Sequence, residues 1–166
     1  MKKTDKFLIG IVVGIVLLIA VAFAVALNKP EATYKAEDTP EGIAFNYLFA
    51  LQQRDYERAY GYLSPKIIGY PKNVEAFEDD IRDYSWSFRD LEDGSLSLEI
   101  ISVDISGQRA VVKIQSTNFY ENGLFDSGQY TNTFDVILRQ DQDGKWKITE
   151  ADNYWLWCWD NLGGCK

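Results

Sequence analysis

From Phe7 to Leu27 the chain carries no charge and is almost wholly apolar. At about 1.5 Å per residue, a helix over this run crosses a hydrocarbon core about 30 Å thick. Residues 7–27 are therefore read as a transmembrane helix in contact with membrane lipid. Lys2, Lys3 and Lys6 precede it, whereas Glu31, Glu37 and Asp38 follow it. The positive-inside bias then places residues 1–6 in the cytoplasm and the C-terminal part outside the cell membrane, as in a single-pass signal anchor. A cleavable signal peptide competes, because Ala24-Val25-Ala26 resembles a cleavage site. The run exceeds the usual apolar core of about 7–15 residues, which favours retention, and both outcomes export the domain. No cysteine near Leu27 offers a lipid-attachment point. Gly10 and Gly14 have the spacing at which membrane helices approach closely, so a homodimer through this face stays open, although the simplest role of the helix is a tether.

The remainder is one domain in length and can bury one core. The chain carries −8, and the part after Leu27 carries −10, since Lys2, Lys3 and Lys6 outnumber Asp5 by two. Such a domain repels phosphate backbones, and no basic run is visible, so nucleic acid is not an expected partner. Cys158 and Cys165 are the only cysteines. In an oxidising exterior they can close a short loop containing Gly163 and Gly164, with two free thiols as the alternative. With no histidine in the chain and only two thiols, no metal site is indicated.

Residues 28–38 lack apolar periodicity and read as a linker, and the domain is taken as 39–153. Thr39 and Pro40 suit a helix start, with Ala44, Tyr47, Leu48 and Leu51 at helical spacing. Asp55 caps a second helix carrying Tyr56, Ala59, Tyr60 and Leu63, stopped by Pro65. A third begins at Asn73, with Val74, Phe77, Ile81 and Tyr84 on one face and Glu75, Glu78, Asp79, Asp80 and Asp83 on the other. That acidic face reads as solvated surface rather than a calcium site. The period then becomes two. Leu96, Leu98 and Ile100 alternate, and Ile101, Val103 and Ile105 continue out of phase, which predicts a β-bulge near Ile100 and Ile101. Ser106-Gly107 turns into a strand with Ala110, Val112 and Ile114. Asn122-Gly123 signals a hairpin into a strand at Tyr130–Gln140, with Phe134, Val136 and Leu138 on one face. Asp141–Gly144 turns into the last strand, with Trp146 and Ile148. The Asp-x-Asp-Gly stretch is a turn, because Arg139 stands where an EF-hand needs its first ligand.

Helices followed by antiparallel strands define an α+β domain. The stretch Gln52-Gln53-Arg54-Asp55-Tyr56-Glu57-Arg58-Ala59-Tyr60-Gly61-Tyr62-Leu63-Ser64, with Asp143-Gly144-Lys145-Trp146-Lys147-Ile148, resembles the nuclear transport factor 2-like superfamily, also called the cystatin-like fold. The likeness covers roughly Thr39 to Asn153 and is nearest to membrane-tethered members of unknown function. It implies a cone of three helices packed on a curved antiparallel sheet of about four strands. Members include isomerases, dehydratases, ligand binders and association domains, so the fold does not choose an activity.

Without histidine the usual general base and the serine and cysteine triads are absent. An enzyme of this fold would use an inward Asp with tyrosines, but Asp104 and Asp135 fall out of phase with their apolar neighbours and point outward. A non-catalytic domain binding a protein partner or a small apolar ligand, with no cofactor, is the preferred expectation. Tyr47, Tyr60, Tyr84, Trp86 and Trp146 are its pocket candidates, with Trp86 and Trp146 open to a simple core role. An isomerase-like or dehydratase-like enzyme is the alternative, and a scaffold that oligomerises through its sheet face is a third. Residues 154–166 form an aromatic tail, and Trp155, Trp157 and Trp159 are interaction candidates. The tail either packs over the mouth of the cone, pinned by the disulfide, or binds a partner, or touches the outer leaflet.

Overall fold

The computed structural model describes residues 3–27, 33–92, 96–121 and 127–165. It divides into two units, Met1–Thr33 and Tyr34–Lys166. The first contains α1 (Lys3–Leu27). Its segment Lys6–Ala24 is long and apolar enough to cross a membrane, a test that signal sequences also pass.

In the second unit, α2 (Pro40–Gln52), α3 (Tyr56–Tyr62) and α4 (Val74–Asp83) begin where side-chain caps allow. Thr39 Oγ1 accepts from Gly42 N at 3.1 Å, Asp55 Oδ1 from Arg58 N at 3.2 Å, and Asn73 Oδ1 from Ala76 N at 2.8 Å. Each cap satisfies a backbone donor that the first helical turn leaves unpaired. A 3₁₀ turn at Ser85–Ser87 and the short α5 (Arg89–Glu92) add helical structure beyond the three expected helices.

The strands β1 (Leu96–Ser106), β2 (Arg109–Glu121), β3 (Ser127–Gln140) and β4 (Trp146–Ala151) form one antiparallel sheet in the order β1-β2-β3-β4. The bulge falls where the change of phase put it, with Ile101 left out between Ile100↔Ile114 and Ser102↔Lys113. A second irregularity at Thr149 separates Ile137↔Glu150 from Leu138↔Ile148. Strand β3 begins at Ser127, ahead of the expected Tyr130, and the Asn122-Gly123 hairpin signal lies outside the described residues.

Ala110, Val112 and Ile114 of β2, with Phe134, Val136 and Leu138 of β3, face the helices and are fully or almost fully buried. The helix α2 lies across them, buried on every face rather than amphipathic. The residues just before it explain this. Tyr34–Asp38, read from sequence as linker, pack against the domain instead. Lys35 N–H donates to Asn46 Oδ1 at 2.7 Å, Asn46 Nδ2 donates back to Lys35 O at 2.9 Å, and Tyr34 meets Phe49 edge-on at 4.9 Å. The buried Asn46 amide supplies to this strap the backbone pairing that a neighbouring strand would. Packing thus begins at Tyr34, ahead of Thr39.

It also continues beyond Asn153. Gly69 N donates to Trp159 O at 2.7 Å, and a Cβ at Gly69 would run into the Cys158 carbonyl oxygen and lie 2.8 Å from Asn161 O. Glycine is what lets the Pro65–Tyr70 loop lie against the C-terminal ring closed by Cys158–Cys165. The tail belongs to the core.

Candidate functional site

The pocket candidates do not converge on one cavity. Tyr47 is fully buried, and its hydroxyl donates to Tyr154 O at 2.9 Å, so it spans the interior as a structural tie. Tyr60 stacks on Tyr70 and donates to Pro71 O at 2.9 Å, closing the loop after α3. Tyr84 packs partly buried against the core. Trp86 lies on the 3₁₀ turn and is 70 % exposed, neither core nor pocket wall, because the period of that turn rotates it off the buried face of α4. Tyrosines aside, the buried polar side chains among the described residues are Asn46, Ser64 and Ser116, none of them ionisable. Asp135 forms an ion pair with Lys113 at 2.6 Å on the outer face of the sheet, and Asp104 lies on that face too.

The tail divides by residue. Trp159 is wholly buried, stacked on Phe77 at 5.4 Å and edge-on to Trp155 at 5.1 Å, and its indole N–H donates to Asp80 Oδ2 at 2.9 Å. Trp155 is also buried, with its N–H shared between the two carboxylate oxygens of Asp160. Trp157, 60 % exposed, alone keeps the character of an interaction residue. Tail packing pinned by a disulfide is thus what the structure has, and Trp155 and Trp159 are corrected from interaction residues to core.

Of these candidates, Trp146 lines a groove. The buried indole and Ile43 form the floor of an open groove of about 780 Å³ between the strap (Glu37, Asp38), α3 (Arg58, Gly61, Tyr62) and the β3–β4 hairpin (Gly144, Lys145, Lys147). One wall is a closed network: Glu37 Oε1 accepts from Arg58 Nη2 and from the Tyr62 hydroxyl, both at 2.7 Å. Arg58 Nε donates to the same hydroxyl at 2.9 Å, and the guanidinium lies 3.5 Å from the centre of the Tyr34 ring. These bonds from Arg58, then Tyr62, hold the Glu37 carboxyl below its ordinary value of 4.5. Burial first, then the Glu37 carboxylate, pushes Tyr62 up to about 12. On the hairpin side, the Lys147 ammonium donates to Gly61 O. The network fixes the strap on α3. Sequence reasoning missed Glu37, Arg58 and Tyr62, because Glu37 lies in the stretch read as linker.

The lowered Glu37 value gives a pH dependence of definite sign. Its contribution is present above about pH 4.5 and is lost as pH falls through the lower folded value. Glu37 is half exposed, so its contribution is below about 1 kcal/mol. Protection of the Lys35 amide is expected to fall in acid in the native chain. In Glu37→Gln it should be lower throughout and nearly flat across that range, which amide exchange monitored by NMR will check.

No protein-family model and no curated protein matches the sequence. Solved structures do. A provisionally assigned ketosteroid isomerase from Shewanella frigidimarina aligns at 18 % identity over 70 % of this chain and 95 % of its own, with TM-score 0.50. An NTF2-like protein with a cystatin-like fold from Novosphingobium aromaticivorans aligns at 15 % identity over 67 % of this chain and 75 % of its own, with TM-score 0.45. An NTF2-like superfamily protein from Salmonella enterica aligns at 9 % identity over 70 % and 89 %, with TM-score 0.43. At such identities the likeness is one of fold and carries no activity with it. With its capped helices laid across a bulged four-stranded antiparallel sheet, the chain has the nuclear transport factor 2-like, or cystatin-like, fold.

Proposed function

We propose that this chain is a single-pass membrane protein that keeps its anchor, with the N-terminus in the cytoplasm, and presents a non-catalytic domain outside to bind a protein partner. The observation that carries this reading is the state of the interior. Where a ligand-binding member of the fold would keep a hollow, Tyr47, Leu48, Ile114, Phe134 and Tyr154 pack together, with the Tyr47 hydroxyl consumed by a backbone carbonyl. A filled interior moves recognition to the surface. There the Trp146 groove offers an apolar floor with a charged rim, the composition of a protein interface. The disulfide and the positive charge before α1 support an exterior address.

Three measurements test this. Protease added to intact cells is expected to cut the domain, and sparing of the domain until the cytosol is opened overturns the topology. A photo-crosslinking side chain at Lys145, on the groove rim, is expected to yield one discrete protein adduct in intact membranes, whereas the same group at Glu57 yields none. Saturable one-to-one binding of an apolar fluorophore in the domain interior would instead establish a ligand binder.

A further inference from the structure

A basic surface invisible in the sequence is assembled by strand register. Arg109 lies opposite Arg139, and Arg139 opposite Lys147, so three cations from β2, β3 and β4 stand side by side on the outer face of the sheet. Lys66 and Lys147 line one depression with Arg139, and Lys147 also lines the Trp146 groove with Lys145, so the belt runs into that groove. Directly opposed like charges on adjacent strands destabilise a sheet. In a domain of net charge −10, carboxylates are plentiful, and Lys113 on the same face has one in Asp135. Yet among the described residues neither the Arg109 nor the Arg139 guanidinium has a hydrogen-bond or ion-pair partner. The nearby Asp141 carboxylate is turned into its own hairpin, where Oδ1 accepts from Asp143 N at 2.9 Å and Lys145 N at 2.8 Å.

We propose that this belt is the docking face for an acidic, partly apolar segment of a protein partner, which deepens the binding reading above and rests on it. The class follows from the adjacent row. Val111 lies opposite Ile137, forming an apolar pair beside the Arg109–Arg139 pair, and that row ends in Asp104 on one side and Glu150 on the other. A long uniform polyanion would meet those two carboxylates and gain nothing from the apolar pair. A peptide with two or three carboxylates followed by an aliphatic side chain satisfies both rows. Guanidinium pairs suit it further, since each fork can take a carboxylate in two parallel hydrogen bonds.

The test uses the full-length protein in detergent micelles and a fluorescein-labelled decapeptide in which Glu-Asp-Glu is followed by Val-Leu, monitored by anisotropy. Binding is expected to weaken severalfold between about 0.05 and 0.3 M salt. It should drop about tenfold or more in Arg109→Gln/Arg139→Gln, and severalfold in Val111→Thr/Ile137→Thr. Lys72→Gln, away from the belt, should bind as the native chain does, and circular dichroism of each variant should be unchanged. Equal binding of the Gln-Asn version of the peptide, indifference to the arginine substitutions, or binding of inorganic polyphosphate with the peptide silent each overturn the proposal. If the peptide is silent while a crosslinker at Lys145 still traps a partner, this inference fails and the binding-module reading survives. A hollow interior occupied by an apolar fluorophore removes the module reading itself.

Discussion

Trp159→Ala is expected to destabilise the domain by about 3–5 kcal/mol and to lower its melting midpoint by roughly 10–15 °C, measured by calorimetry of the native and variant proteins. The indole is wholly buried, and its ring is packed against Phe77, Trp155 and Phe88, which come from three separate segments of the chain. Truncation removes the apolar transfer term of the largest side chain in the core and leaves a cavity that three rigid rings collapse into poorly. It also strips Asp80 of its indole donor. Burial already raises the Asp80 carboxyl above its ordinary range, with Asp83 and Asp79 adding to the effect and the Trp159 hydrogen bond opposing it. The variant therefore leaves a half-buried carboxylate with less to hold it ionised, and the loss should be greater at neutral pH than in acid. Trp157→Ala, two residues earlier, is expected to change stability by less than about 0.5 kcal/mol, because that ring faces solvent. A comparable loss in both variants would mean that the tail is not packed as described.

That contrast marks where the sequence was readable and where it was not. The caps Thr39, Asp55 and Asn73, the bulge at Ile101 and the turn ending in Gly144 are local signals, each decided within a few residues, and they lie where expected. Trp155, Trp157 and Trp159 alternate as a strand would, yet the last two lie in a 3₁₀ turn. Which ring goes inward is set by Gly69 and the Pro65–Tyr70 loop, far away in sequence. The strap shows no period because it is held through the Asn46 side chain and the Glu37–Arg58–Tyr62 network rather than by its own apolar residues. The basic belt was unreadable for a third reason. Arg109, Arg139 and Lys147 each have unremarkable polar neighbours in the chain, and only the register of three strands sets them in a row. The burial of α2 on every face exceeds what the helical spacing of Ala44, Tyr47, Leu48 and Leu51 implies, because the strap that packs on it carries no signal.

Cys165→Ser is expected to cost about 2–3 kcal/mol, and reduction of the native chain should reproduce that loss while leaving the variant unaffected. Cys158 and Cys165 are seven residues apart. Closing so short a loop removes about 2–3 kcal/mol of unfolded-state entropy, and small exported domains commonly lose 2–5 kcal/mol with a native bridge. The ring is also what presses Trp159 into place, since Gly69 N donates to Trp159 O and Gly164 lies against Gly69. Opening it frees the 3₁₀ turn at Trp157–Asp160 to fray, so proteolysis after Trp159 or Leu162 should accelerate before global unfolding. The same pair reports the side of the membrane on which the domain folds. In a reducing cytosol the thiols would stay free and react with maleimide after denaturation. In an exported domain they should be silent until a reductant is added. Free thiols in freshly isolated denatured protein would remove both the stabilising bridge and the main support for an exterior address.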